Sequence, residues 1–363
     1  MNMIVGIDYP KKKIAINNKK YFIPASNTKL FTSFFALKVL GNDYRFYSCY
    51  SIKNDKLYIK TLGNPLITQD NILEITNKID NEIKEIYLYY DYLKPTERPP
   101  GWCIDDIHEP YAPPVSEINY EMNRIEIKNK KMFPKNNFFD IKIYKGKTFI
   151  NDNKIFLNRR NKNFSFSPNN PIEIFKNSLI LILKEKGLLA KSVKFINKNF
   201  KIDCEYFAER SMSEILKIMN KESENSVAEA LLLHAGMVSN HRGLKNSLLF
   251  LKKILKDEKI KNFVLYDGSG LSHYNLTTPN TITLLLEKLI NNEIFKGSLP
   301  VGSIDGTLKN RLNPRIKAKT GTLNHVQNLS GYFDSNPFSI MLNGVTNQKY
   351  AKKFIDEYIT YNF

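Results

Sequence analysis

Pro24-Ala25-Ser26-Asn27-Thr28-Lys29-Leu30 is the stretch on which the reading of this chain turns. Two short strands are expected before it, 3–8 and 13–23, around a Lys-rich turn at Pro10 to Lys13. A helix is expected to start near Ser26, because Leu30, Phe31, Phe34, Phe35, Leu37 and Leu40 recur at helical spacing and Gly41 supplies a stop. Residues three apart share a helix face, so Lys29 lies beside Ser26 on the first turn. A serine hydroxyl is a poor nucleophile until a base takes its proton. A lysine held neutral by burial or by another cation can be that base. The plainer alternative is an N-cap serine followed by a solvated lysine, a pattern that a lysine-rich chain also produces by chance.

Two more short motifs bear on the choice. Ser223-Glu224-Asn225 stands just before an expected helix at 224–235 and, taken alone, reads as a cap. Lys319-Thr320-Gly321-Thr322 lies on an expected strand, 315–322. It offers a cation, two hydroxyls and a backbone stretch without a side chain, which suits an extended peptide and its terminal carboxylate. A hairpin end with Gly321 as a bulge is the other reading. Together and in this order, SxxK, SxN and KTG make up the active-site signature of β-lactamases and penicillin-binding proteins. Each sits where the chemistry needs it: helix start, helix–loop junction, strand. About 200 residues separate Ser26 from Ser223, room for a whole further domain.

With these motifs the chain resembles the class C low-molecular-mass penicillin-binding proteins, the D-alanyl-D-alanine carboxypeptidase/endopeptidase family. Further matching segments are Gly63-Asn64-Pro65, Gly101-Trp102, Tyr111-Ala112-Pro113, Asn220 to Asn225 with Ala228-Glu229-Ala230, Asp267 to Ser272, Asp305-Gly306-Thr307-Leu308 and Lys319 to Leu323. The resemblance implies an α/β (α+β) penicillin-recognising, β-lactamase/transpeptidase-like domain from residues 1–48 and 206–363. A large inserted α/β domain would occupy 49–120 and 168–205, with a nested small β subdomain at 121–167. It implies peptidoglycan stem peptides as substrate, β-lactams as covalent inhibitors, and no cofactor or metal. By matching position Ser26 would be the nucleophile and Lys29 its base. Ser223 would relay the proton to the leaving amine, and Asn225 would hold the substrate amide. Lys319, Thr320, Gly321 and Thr322 would bind the terminal carboxylate, and the backbone N–H groups of Ser26 and Thr322 would form the oxyanion hole. Lys319, as a second cation, would help to keep Lys29 neutral. Trp102 and Asp105 would receive the ammonium end of a diaminopimelate side chain, with Leu271 and Leu323 as the apolar side. His273 stands where many relatives carry arginine. Core filling is the alternative for Trp102, the chain's single tryptophan.

The pattern between and beyond these motifs agrees with a domain split in sequence. Strands are expected at 56–61 and 85–90, helices at 71–83, 171–187, 211–220, 243–256 and 280–292. A strand pair at 328–346 and a helix at 348–360 close the chain. Composition excludes several classes. The hydrophobic share is 42% and the charged share 25% of 363 residues, which is a globular balance and not a disordered or fibrous one. The net charge of +18 raises nucleic acid as a partner. The basic residues are dispersed, however, and no helix-turn-helix, zinc or RNP motif occurs, so no nucleic acid is expected. Cys49, Cys103 and Cys204 are too few and scattered for a disulfide scaffold and show no zinc spacing. No apolar run reaches the roughly 20 residues of a transmembrane helix. Residues 1–8 lack the features of a secretory signal, which alone suggests the cytosol. The family resemblance implies an extracytoplasmic, periplasmic setting instead. Rival readings are a β-lactamase or esterase on the same scaffold and a catalytically silent peptidoglycan-binding protein.

Overall fold

Strand pairing organises the computed structural model, which describes residues 3–80, 82–89, 98–160, 163–188, 192–196 and 203–363. The chain forms two compact units, one of Met1–Tyr44, Pro99–Trp102 and Ser211–Phe363, the other of Arg45–Arg98 and Cys103–Arg210. The boundaries thus fall a few residues outside the expected 49 and 205, and Pro99–Trp102 sits with the first unit. The reason is that Arg45–Lys53 and Glu205–Ser211 are unbroken strands of a single sheet. A cut at 49 would sever the first of them.

The first unit is built on a five-stranded antiparallel sheet in the order Ile316–Leu323, Val326–Phe333, Asn336–Asn343, Ile4–Tyr9, Ile14–Ile16. Its register sets Lys319 opposite Ser330 and Ile7 opposite Ile340. Ile7, Ile316, Ala318, Leu329 and Ile340 pack with Ala351, Ile355 and Ile359 of the helix Gln348–Asn362, one apolar stripe on one apolar sheet face. The second strand is much shorter than the expected 13–23. Asn17 has a φ of 45° and its carbonyl accepts from Lys20 N–H, so the chain turns there. Helix Thr28–Leu40 is buried on every side from Thr28 to Leu37: Leu30, Phe31, Phe34, Phe35, Ala36 and Leu37 fill the core, and the buried polar residues Lys29, Thr32 and Ser33 each have hydrogen-bond partners. It packs on helix Asn225–Val238. Met212–Lys221 starts with a capping box in which the Ser211 and Glu214 side chains exchange hydrogen bonds with each other's backbone N–H. The expected helix 280–292 runs Pro279–Leu289, and an unexpected short helix, Glu293–Ser298, follows because the Asn292 side chain accepts from Phe295 N–H and starts it.

In the second unit, a mixed sheet runs in the order Ser192–Ile196, Glu85–Tyr89, Lys56–Lys60, Arg45–Lys53, Glu205–Ser211. Leu57, Ile59, Ile86 and Leu88 bury against Ile72 and Ile75 of helix Gln69–Asn77 and Phe175 and Leu179 of helix Pro171–Glu185. Asn81 and Tyr90, inside or at the end of two expected elements, lie outside the described residues. Two small three-stranded sheets follow within 125–166 and share a core of Ile125, Ile127, Phe139, Ile155, Leu157 and Phe166. A disulfide joins Cys49 to Cys204 across 155 residues of sequence, tying the strand Arg45–Lys53 to the entry of Glu205–Ser211. Cys103 is free.

Candidate active site

Three of the expected residues meet at one nitrogen. Ser26 lies in a 3-10 turn, Ala25–Asn27, that leads into helix Thr28–Leu40. The preceding Ala25 has a φ of 48°, a left-handed conformation of the sort held in place only by its surroundings. Gly270 supplies part of that hold. A Cβ there would lie 1.8 Å from the Ala25 carbonyl oxygen, so only glycine lets the 267–272 loop close on the turn. Lys29 Nζ is fully buried and lies 3.0 Å from Ser26 Oγ, 2.6 Å from Asn225 Oδ1 and 2.7 Å from the Ser269 carbonyl oxygen. An ammonium donates to all three. A neutral amine has two N–H bonds and one lone pair. Because Asn225 Oδ1 and the Ser269 carbonyl only accept, the N–H bonds go to them and the lone pair faces Ser26 Oγ. Burial lowers the Lys29 pKa to about 8, against the opposing pull of Asp267, Glu229 and Glu224. Burial, not Lys319, is therefore what favours the neutral base.

The second lysine is equally hidden. Lys319, on strand Ile316–Leu323, is fully buried and donates to Ser223 Oγ at 2.8 Å and to the Thr320 carbonyl at 3.0 Å. Burial first, then repulsion from Lys29, hold its pKa well below the ordinary value. The charge conflict between the two lysines thus falls on Lys319. Ser223 has a φ of 61° at the entrance to helix Asn225–Val238. Gly321 is the position of closest approach: a Cβ would sit 2.7 Å from the Pro24 carbonyl oxygen and 3.3 Å from Asn27 Oδ1. The glycine of Lys-Thr-Gly lets the strand run directly along the nucleophile's turn, and it is an ordinary ladder residue opposite Asn328, not a bulge. Thr320 Oγ1 donates to Thr307 Oγ1 at 2.9 Å, and Thr322 Oγ1 to Gln327 Oε1 at 3.2 Å. Leu323 is half-buried at the strand's end.

A serine touching a buried lysine at a helix start, beside a Lys-Thr-Gly strand, can be set against known proteins. The sequence model of the D-Ala-D-Ala carboxypeptidase 3 (S13) family matches residues 3–143 and 159–360. The chain belongs to this family. D-alanyl-D-alanine carboxypeptidase DacB of Haemophilus influenzae is 34% identical over 137 residues, a match spanning 34% of this chain and 29% of that protein. The crystal structure of penicillin binding protein 4 (dacB) from Haemophilus influenzae superposes with a TM-score of 0.80 at 25% identity, covering 99% of this chain and 96% of that one. The same protein complexed with a β-lactam superposes with a TM-score of 0.76 at 23% identity, over the same shares. The fold is the mixed α/β, penicillin-recognising one.

Within this S13 chain, two buried carboxylates brace the site from below. Asp267 accepts from the N–H groups of Gly270 at 2.9 Å and Ser272 at 2.6 Å, from Asn275 Nδ2 at 2.6 Å and from Trp102 Nε1 at 2.9 Å. Glu229, on helix Asn225–Val238, accepts from Gly268 N–H at 3.0 Å and Ser269 N–H at 2.8 Å. Burial and the neighbouring Asp267 push the Glu229 carboxyl up to about 8. Thr32 Oγ1, one turn beyond Lys29, donates to the Gly268 carbonyl at 2.6 Å. The Ser269 carbonyl that receives Lys29 is thus fixed from both sides. Asp267 and Glu229 lie in segments that match the family, but neither is among the residues to which the motifs assign a role. Asp followed by Gly-Ser-Gly is a turn signal that points to the first of them.

The remaining expected residues divide. Leu271 is buried on the same loop, and His273 N–H donates to the Gly101 carbonyl at 3.1 Å. Trp102 is half-buried with its indole N–H committed to Asp267. Asp105 is exposed in a short turn, Ile104–Asp106, of the other unit. Among the described residues no cluster of His, Cys, Asp and Glu is arranged to hold a metal, and no helix is long and apolar enough to cross a membrane.

Proposed function

We propose that this chain is a serine D,D-peptidase of peptidoglycan stem peptides, working through an acyl-enzyme on Ser26 and open to covalent inhibition by β-lactams. The observation that carries this is Lys29: buried, with its lone pair directed at Ser26 Oγ when neutral. Lys29 takes the Ser26 proton as Oγ attacks the carbonyl carbon between the two terminal D-alanines. The backbone N–H groups of Ser26 and Thr322 hold the oxyanion, a contribution of roughly 3–4 kcal/mol per donor in comparable sites. Ser223, hydrogen-bonded to Lys319, returns a proton to the leaving amine. Asn225 holds both Lys29 and the substrate amide, and Thr320 and Thr322 receive the terminal carboxylate. Water then releases the acyl group. Trp102, Leu271, His273 and Leu323 are assigned to the substrate side-chain pocket.

The β-lactam complex of the structural relative supports the inhibitor reading. The Cys49–Cys204 disulfide supports an extracytoplasmic setting, since such bonds persist in oxidising compartments. A fluorescent penicillin tests the core of the proposal. It is expected to label the native chain and to leave Ser26→Ala unlabelled, with turnover lost by at least about 10⁴-fold. No label on the native protein would sink it. Rapid nitrocefin turnover would instead favour the β-lactamase reading, and products from purified muropeptides, read by mass, separate carboxypeptidase from endopeptidase.

A further inference from the structure

The second unit holds a groove lined by none of the residues assigned to the proposed chemistry. Its volume is about 600 Å³, within the range of small-ligand sites. Its aromatic side is half-buried Phe138 and exposed His108, with the buried core rings of Phe139 and Phe166 behind them. The three phenyl rings are locked edge to face, with centroids 5.0 and 5.1 Å apart. The His108 turn is tied to the same side, because Ser167 N–H donates to the His108 carbonyl at 3.1 Å. The lining also carries a set of side-chain amides, Asn137, Asn153, Asn169, Asn170 and Asn177.

Several of these amides are oriented by one hydrogen bond that leaves the other half to a ligand. Asn169 Oδ1 accepts from Arg98 at 3.2 Å, and Asn170 Oδ1 caps helix Pro171–Glu185 by accepting from Glu173 N–H at 3.3 Å. Their NH₂ groups remain as donors. Asn177 Nδ2 donates to the Glu173 carbonyl at 2.8 Å, and its oxygen remains as an acceptor. Asn137 and Asn153 are exposed, and their side chains have no partner among the described residues. Asp152 is the one charged side chain of the lining. In a chain with 54 lysines and arginines, a groove without a cation is selective. It does not suit a phosphate, a nucleic acid or a carboxylate-rich peptide. Nor is it a strand edge of the kind that captures extended peptides.

Amide donors and acceptors in one groove with a partly exposed aromatic ring match a neutral polyol with one C–H face. The C–H bonds of a pyranose lie on the negative face of an aromatic ring, while hydroxyl and acetamido groups pair with amides, which both donate and accept. We propose that this groove binds the glycan strand of the substrate, a β-linked chain of N-acetylated amino sugars. The inference rests on the peptidoglycan reading above. It assigns the second unit the task of holding the polymer while the first unit works on the peptide.

The test uses the full chain and a β-1,4-linked tetramer of N-acetylglucosamine, titrated by calorimetry. Binding is expected, and the double variant Asn137→Ala/Asn153→Ala is expected to weaken it about tenfold or more, as loss of anchoring contacts does. Phe138→Ala should do the same, and the double variant covers the case in which it misfolds. Both variants should keep penicillin labelling of Ser26 and cleavage of a small soluble peptide, while cleavage of intact sacculi falls by a similar factor. No tetramer binding up to about 10 mM, or binding that neither variant changes, overturns the proposal. Binding of a sugar-free stem peptide that these variants abolish reassigns the groove to peptide. If penicillin fails to label Ser26, the peptidase reading falls, while the sugar titration still reads the groove by itself.

Discussion

The two units treat polar groups in opposite ways. In the first, Lys29, Lys319, Glu229 and Asp267 are almost wholly removed from water and satisfied by one another's loops. In the second, the amides of the groove stay at the surface with half of their hydrogen-bonding capacity open. A buried network changes proton affinities and is costly to perturb. An open rim binds by exchange with water and tolerates substitution. The contrast teaches where chemistry and where recognition are to be expected, and it can be broken by experiment.

The largest effect is expected at Gly270. Its alanine variant would drive a Cβ into the Ala25 carbonyl, so Ser26 acylation should fall by more than about 100-fold and stability by about 4 kcal/mol or more. Unchanged penicillin labelling of Gly270→Ala would show that the turn is not held as described. Asp267→Asn comes next. It turns an acceptor for five donors into a group with an NH₂ of its own, and a loss of about 3 kcal/mol in denaturant unfolding is expected. Reducing the Cys49–Cys204 bond should destabilise the second unit by about 2–4 kcal/mol, and penicillin labelling of Ser26 should survive it. Loss of labelling on reduction would mean that the two units are not energetically separate. The smallest effect is in pH. The base must be neutral to work, so the acylation rate should rise with pH to a plateau, with a midpoint near the Lys29 value of about 8. Below it the rate should drop about tenfold per pH unit. Glu229 and Asp267 raise the Lys29 pKa, so Glu229→Gln should leave the midpoint where it is or move it lower. A shift upward would contradict the electrostatics drawn here.

Much of this site was legible in the chain. Ser26 and Lys29 are one helical turn apart, and Lys319 to Thr322 share a strand, so local periodicity suffices to set their spacing. The helix from Thr28, the terminal strand pair and the closing helix were legible for the same reason. The shortened strand after Ile16 and the new helix at Glu293 were not, because single Asn residues took over the backbone hydrogen bonds there.

By itself the sequence determined the order of the three motifs, the length of the insertion between them and the local geometry of each. Tertiary structure alone decided that Lys29 is dry enough to lose its proton, since desolvation depends on every element packed around a group and not on its neighbours in the chain. It decided, for the same reason, that Asp267 and Glu229 brace the base, that Cys49 meets Cys204, and that asparagines from three loop segments and one helix share one groove. Contacts between residues far apart in sequence leave no periodic trace in it.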